Sequence, residues 1–172
     1  PVSLSFTSVN WATPQTITIS GTDDSVYESS HATTVQMTVA GGVYGYPSIT
    51  PPTITATITD NETSNIMVSA SNASTDEGDA VSITYTLASQ PTSTVTLLFT
   101  IGSGITASTS SVIFTTSDWS TPQSVTYTAT ENQVYTGNRS ATVSTAVQSD
   151  TAFAGVSIPA LTIEIIEDDP QP

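Results

Sequence analysis

Apolar and polar residues alternate with period two through much of this chain. Ile17 and Ile19 fall on one side of residues 15–20, and Thr16, Thr18 and Ser20 on the other. Val125, Tyr127 and Ala129 repeat that pattern over residues 123–130. Alternation over about six to eight residues predicts a half-buried β-strand. Val35, Met37 and Val39 predict another strand, matched by Val143 and Val147. Ile54, Ala56 and Ile58 predict the strand that follows. Its counterpart, Leu161 to Ile166, is more uniformly apolar, and alternation alone does not separate its two faces. Further strands are predicted at residues 67–70, at Val81, Ile83, Tyr85 and Leu87, and over residues 94–100. Asp76-Glu77-Gly78-Asp79, between the first two of these, reads as a turn.

The pattern is written twice. Phe6-Thr7-Ser8-Val9-Asn10-Trp11-Ala12-Thr13-Pro14-Gln15 returns as Phe114-Thr115-Thr116-Ser117-Asp118-Trp119-Ser120-Thr121-Pro122-Gln123, an offset of 108 (114 minus 6). The offset continues through Val26-Tyr27 and Val134-Tyr135, and through Val39 and Val147. Carried on without a gap, it matches Asp60 with Asp168. So long a period marks a repeated domain, not one turn of a solenoid. Residues 64–169 hold about seven predicted strands, the number of an immunoglobulin-like sandwich. Residues 1–63 hold only the last four of them. The expected fold is therefore all-β: tandem immunoglobulin-like β-sandwiches, the first (1–63) lacking its N-terminal strands and the second (64–172) complete. Half a sandwich leaves an apolar face and unpaired strand edges. Two readings follow: the chain is a slice of a longer one, or a neighbouring subunit supplies the missing strands.

Composition narrows the function. About a third of the residues are Ser or Thr, which favours strands and turns over helices. The net charge is −14, and Arg139 is the single basic side chain besides one histidine, His31. No lysine or arginine cluster exists to displace counterions from nucleic acid, and an anionic membrane surface would repel the chain. No apolar run has the length of a membrane span. There is no cysteine, hence neither a disulfide framework nor thiol chemistry. Residue 1 is proline, so the chain is expected to be processed or part of something longer.

The aromatic-Pro-Gln stretch, the alternating strand after it, Asp23-Asp24 with Glu28, and a last strand ending Thr59-Asp60-Asn61-Glu62 together resemble the Calx-beta-like repeats of large bacterial surface proteins. The resemblance covers one whole module and the last part of another. It implies a calcium-binding β-sandwich with acidic loops at one end; calcium takes about six to eight oxygen ligands, several of them carboxylates. On this resemblance Asp23, Asp24, Glu28, Asp60 and Glu62 are the first copy's candidate ligands. Its early-module glutamate would precede residue 1. In the second copy Glu77 matches that early glutamate, and Asp168 and Asp169 match the terminal pair. There the middle motif has drifted: Asp23-Asp24 becomes Glu131-Asn132, and Glu28 becomes Thr136. The competing reading of any acidic loop is a solvated face at a strand end.

Other residues carry weaker signals. Trp11 and Trp119 read as core or loop-anchoring residues with the indole N–H satisfied locally, and Pro14 and Pro122 as strand starts where no ladder donor is needed. His31 and Arg139 share one repeat position behind the acidic segment and are expected to find a charge partner nearby. No nucleophile, base and acid constellation is evident, so no enzyme is expected. Asn61-Glu62-Thr63, Asn72-Ala73-Ser74 and Asn138-Arg139-Ser140 are candidate N-glycan acceptors, and outward threonines permit O-linked sugars. The expected role is an extracellular, cell-surface structural module of a fibre or adhesin, stiffened by calcium and self-associating. A carbohydrate- or protein-binding adhesion module and an accessory domain of a larger secreted enzyme are the alternatives.

Overall fold

The computed structural model describes residues 2–42, 45–149 and 152–171; the expected outer boundaries at residues 1 and 172 lie outside them. The described residues form β-strands and one short 3-10 turn at Tyr46–Ser48. The strands are β1 (His31–Val35), β2 (Ile54–Ile58), β3 (Ile66–Val68), β4 (Asn72–Asp76), β5 (Ala80–Leu87), β6 (Val95–Ile101), β7 (Ile105–Ala107), β8 (Ser111–Phe114), β9 (Gln123–Ala129), β10 (Arg139–Gln148) and β11 (Leu161–Ile166).

Strands β3 to β11 make an immunoglobulin-like sandwich of two sheets. One has the order β4-β11-β10-β6-β8, the other β3-β5-β9-β7. The alternating residues of β5 and β9 supply the inner face: Ile83, Tyr85, Leu87, Val125, Tyr127 and Ala129 are buried, as their period predicts. The structure also separates the faces of β11, with Leu161, Ile163 and Ile165 inward and Glu164 and Ile166 outward. Tyr85 and Phe99 pack with ring centroids 5.1 Å apart, and Phe99 meets Tyr127 edge-on at 6.5 Å. The Tyr85 and Tyr127 hydroxyls bond each other at 3.1 Å inside this core. Burial pushes both phenols up, Tyr127 the further. They stay protonated and keep the pair satisfied.

Three strands, β4, β7 and β8, add to those that periodicity revealed. β4 reads Asn-Ala-Ser-Thr-Asp and has almost no apolar signal; it forms because it lies parallel to β11, Thr162 opposite Asn72 and Ile166 opposite Asp76.

The first copy departs from expectation. Among its described residues only β1 and β2 form, as a two-stranded ribbon. Residues 15–20 stay outside any ladder, whereas their counterpart β9 lies between β5 and β7. Strand β1 stops at Val35, although the alternation runs on to Val39. Its counterpart β10 pairs with β11 up to Val143 and with β6 from Val143 onward. The first copy has a β11 equivalent but no β6 equivalent, so its ladder ends where the second copy changes partner. Strand formation depends on the neighbour as much as on the segment itself.

The two parts of the chain also touch. Val26 bridges to Gln90, and the Gln90 N–H donates to the Ser25 carbonyl at 2.7 Å. The Ser89 hydroxyl donates to the Thr63 carbonyl at 3.0 Å, tying the connecting segment to the same corner.

Candidate functional site

The repeated ten-residue loop is built the same way in both copies. The Thr7 N–H donates to Asn10 Oδ1 and the Thr115 N–H to Asp118 Oδ1, both at 2.5 Å. This bond holds the Asp118 carboxyl below its usual range. The Gln15 amide donates to the Ser5 carbonyl at 2.9 Å, and the Gln123 amide to the Ile113 carbonyl at 2.6 Å. These are short-range bonds, so the loop forms without its sandwich. What it carries differs. Trp119 packs against the core, while Trp11 is 72% exposed.

The acidic residues gather at one end of each copy, and the parallel β4–β11 pair explains how in the second. Ile166 lies opposite Asp76, and the Glu77 N–H donates to the Ile166 carbonyl at 3.1 Å. Two strands running the same way end at the same place, so Glu77 meets Glu167, Asp168 and Asp169. The turn at Gly78, φ 74°, then brings the chain past Glu131. Ligand oxygens of Glu77, Glu131 and Asp168 lie within 4.8 Å of one another, as do those of Glu77, Glu167 and Asp169.

Glu77 is the centre of this cluster, only 3% exposed. Its Oε1 accepts from Asn132 Nδ2 at 2.8 Å and pairs with the Arg139 guanidinium. Its Oε2 is buried without a hydrogen-bond partner, and so is Asp169 Oδ2. Burial, then Glu131, Glu167 and Asp168, push the Asp169 carboxyl up. Arg139 also donates to Thr136 Oγ1 at 2.9 Å and to the Thr130 carbonyl at 3.0 Å. The guanidinium is thus the charge partner expected at this position; its equivalent His31 instead bonds, among the described residues, the Ser29 carbonyl at 3.3 Å through Nδ1.

The first copy collects Asp23, Asp24, Glu28, Asp60 and Glu62 around a half-open cavity of about 180 Å³, with His31 and Asn61 on its wall. Asp60 and Glu62 contact each other, and that contact, with Asp23 nearby, holds the Glu62 carboxyl up. All five line that cavity, but no three of them bring carboxylate oxygens within 4.8 Å of one another, as the second copy's do. The buried glutamate that organises the second site has no counterpart among them.

Register corrects the expected match of Asp60 with Asp168. His31 lies opposite Ile58, 27 positions on, but Arg139 lies opposite Ile165, 26 positions on. After the β10–β11 connection the offset is therefore 107, and Asp60 corresponds to Glu167. Hydrogen bonding agrees: Glu28 N–H donates to Asp60 Oδ2 at 3.0 Å, and Thr136 N–H, its counterpart, donates to Glu167 Oε2 at 2.5 Å. The Thr136 bond holds the Glu167 carboxyl below its usual range. Glu62 then matches Asp169, the two carboxyls whose acidity is weakened by their neighbours. Glu167 was missed because an unbroken offset hid the slip; the apolar positions Ile54, Ala56 and Ile58, set against Leu161, Ile163 and Ile165, carry the signal. Asn132 lacks the carboxylate of Asp24, its repeat equivalent. It keeps the turn of Asp24, each accepting from the residue two positions on, at 2.9 and 2.8 Å, and uses its amide to hold Glu77.

The three sequon asparagines are exposed. Asn138 Oδ1 accepts from the Glu167 N–H at 3.1 Å, and Asn61 lines the first acidic cavity.

No family model matches the chain, and no curated protein matches it. Among solved structures it is similar to the apo-form Calx CBD1 domain, at 11% identity over 63% of this chain and 100% of that one, TM-score 0.48. It is similar to a chain of the chaperone–tip adhesin complex of CFA/I fimbriae biogenesis, at 12% identity over 63% of this chain and 58% of that one, TM-score 0.47. Domains 4 and 5 of the S-layer protein SbsC match at 17% identity over 67% and 58% of the two chains, TM-score 0.34. The structural similarity to Calx-beta, chaperone and S-layer sandwich domains is distant, and no sequence family is matched.

Proposed function

We propose that this chain is a structural repeat of an extracellular, cell-surface fibre or adhesin, and that calcium held at the acidic ends of its sandwiches stiffens it. One observation carries the cation reading: Glu77 is a buried carboxylate whose second oxygen is unpartnered and faces a cluster of further carboxylates. A buried carboxylate oxygen without a hydrogen-bond partner is costly, and Arg139 reaches only Oε1. Glu77, Glu131, Glu167, Asp168 and Asp169 offer the hard oxygen donors that calcium takes. They come from the ends of β4, β9 and β11. Calcium, when bound, supplies the positive charge that joins these three segments. The residues themselves fix the geometry: Asn132 and Arg139 hold Glu77, and Thr136 holds Glu167. The first copy's cavity offers Asp23, Asp24, Glu28, Asp60 and Glu62 for the same purpose.

The Ser/Thr-rich, acidic composition and three exposed sequons support the surface reading. The exposed Trp11 favours a second reading, an adhesion module with an aromatic platform for a sugar or a host protein. Trp119 weighs against it, because the same position packs on a core wherever its module is complete.

Calorimetric titration of the chain with calcium tests the proposal. Heat that saturates in the millimolar range or below, and that falls when Glu77→Gln is introduced, supports it. No heat at millimolar calcium overturns it.

A further inference from the structure

We propose that Arg139 is a built-in counter-cation at the acidic end of the second copy. Its guanidinium holds Glu77 in the absence of calcium and gives up Oε1 when calcium binds. This role rests on the calcium reading above, and it adds what sets the affinity and what keeps the sandwich closed without the ion. The chain has a single lysine or arginine among its 172 residues, and that one stands among carboxylates. Glu77, Glu131, Glu167, Asp168 and Asp169 gather there, and Arg139 pairs with Glu77, the most buried of them. Like charges brought this close repel, and more strongly where water is excluded. One guanidinium offsets part of that repulsion.

The bonding around the pair suits it to exchange. Glu77 does not depend on Arg139 for its place. Asn132 Nδ2 donates to the same Oε1 at 2.8 Å, and the Glu77 N–H donates to the Ile166 carbonyl at 3.1 Å. Arg139 does not depend on Glu77 either. Its Nη1 donates to Thr136 Oγ1 at 2.9 Å and its Nη2 to the Thr130 carbonyl at 3.0 Å. Opening the one contact between them leaves both side chains tethered, so the site changes partner without coming apart. The other oxygen, Glu77 Oε2, is buried without a hydrogen-bond partner, as is Asp169 Oδ2. These two atoms offer calcium its first hold. Calcium on Oε2 then stands a few ångströms from the guanidinium on Oε1, and two cations so placed repel. Arg139 therefore stabilises the sandwich and opposes the ion. A residue that merely positioned Glu77 would favour the ion instead, and the two roles predict opposite effects of removing it.

The test has two arms. Calcium is titrated calorimetrically into the chain and into its Arg139→Gln and Arg139→Lys forms, and the heat that Glu77→Gln removes is the heat read. Arg139→Gln should bind calcium at least about tenfold more tightly, because the repelling charge is gone. Arg139→Lys keeps that charge and should stay within about threefold of the unsubstituted chain. The second arm needs no substitution. Arg139 is the only arginine, so isotope-labelled arginine gives one side-chain nuclear magnetic resonance signal set. In chelator its Nη hydrogens should be resolved and slow to exchange, and saturating calcium should average them. Equal or weaker calcium binding by Arg139→Gln overturns the proposal and leaves the calcium reading standing, as do Arg139 signals that calcium does not move. No calcium heat in any of the chains overturns both.

Discussion

Phe6 and Phe114 occupy one position of the repeat, and replacing each by alanine gives a controlled comparison. Both sit at the start of the same hydrogen-bonded loop. Phe114 is 0% exposed, at the end of β8 and inside the core; Phe6 is 57% exposed. Truncating a fully buried phenylalanine removes its transfer free energy and leaves a cavity, together costing about 3–5 kcal/mol. For a sandwich of roughly a hundred residues, each kcal/mol moves the midpoint by about 4–8 °C, so Phe114→Ala is expected to lower Tm by at least about 12 °C. Phe6→Ala touches a side chain that is already largely in water, and its effect should stay within about 0.5 kcal/mol. Urea denaturation of the dilute chain, followed by near-ultraviolet circular dichroism, reads both. Equal losses would refute the reasoning, since they would mean that the first copy encloses a core of its own. A loss below about 1 kcal/mol for Phe114→Ala would refute it from the other side, given what such cavities cost.

Other perturbations test the acidic ends. Arg139→Gln leaves Glu77 without its cation and should destabilise the sandwich by about 1.5–3 kcal/mol in chelator, a range set by charged hydrogen bonds; urea midpoints with and without calcium should show calcium recovering part of the loss. Glu62 and Asp169 are raised in the folded chain, so in their windows the folded state binds more protons than the unfolded one. Their unfavourable contribution is absent below the unfolded carboxylate pKa and grows as pH rises through it to the folded value. Asp118 and Glu167 are lowered and act oppositely, stabilising above the unfolded pKa and failing as pH falls through the folded value. Calcium binding should therefore release protons when measured near the raised values, and calorimetry in buffers of different ionisation enthalpy should detect them; identical heats in every buffer would contradict this. A Cβ at Gly102 would lie 2.7 Å from the Thr142 carbonyl oxygen, where β6 ends against β10. Gly102→Ala should cost about 1–3 kcal/mol by overpacking, read by thermal denaturation, while Gly155→Ala, with nothing nearby, should not.

The sequence showed the architecture best where a segment's own pattern decides its structure. Val81 to Leu87 and Val125 to Ala129 alternate cleanly and form β5 and β9 as expected. The loop around Trp11 and Trp119 is legible for the same reason, since its bonds span only a few residues. Residues 15–20 alternate just as well and form no strand, because pairing is supplied by other segments and leaves no mark in the segment itself. Asn72 to Asp76 is the converse: polar, silent to periodicity, and a strand because β11 lies beside it. The acidic residues were visible as types and as a cluster. Which of them are equivalent was hidden by a one-residue change in a connection, and only register exposed Glu167. The role of Asn132 as a donor to Glu77 depends on contact between residues 55 positions apart.

The parallel pairing of β4 with β11 has a mechanical consequence. Tension that draws the two ends of the sandwich apart pulls these neighbours in opposite directions along their length. Every rung between Asn72–Thr162 and Asp76–Ile166 is then loaded at once and must yield together, instead of peeling open singly. The carboxylates of Glu77 and Glu167 to Asp169 stand at the shared end of those two strands. A cation joining them would clamp the load-bearing pair, so the force needed to rupture one module would become a function of the calcium around it.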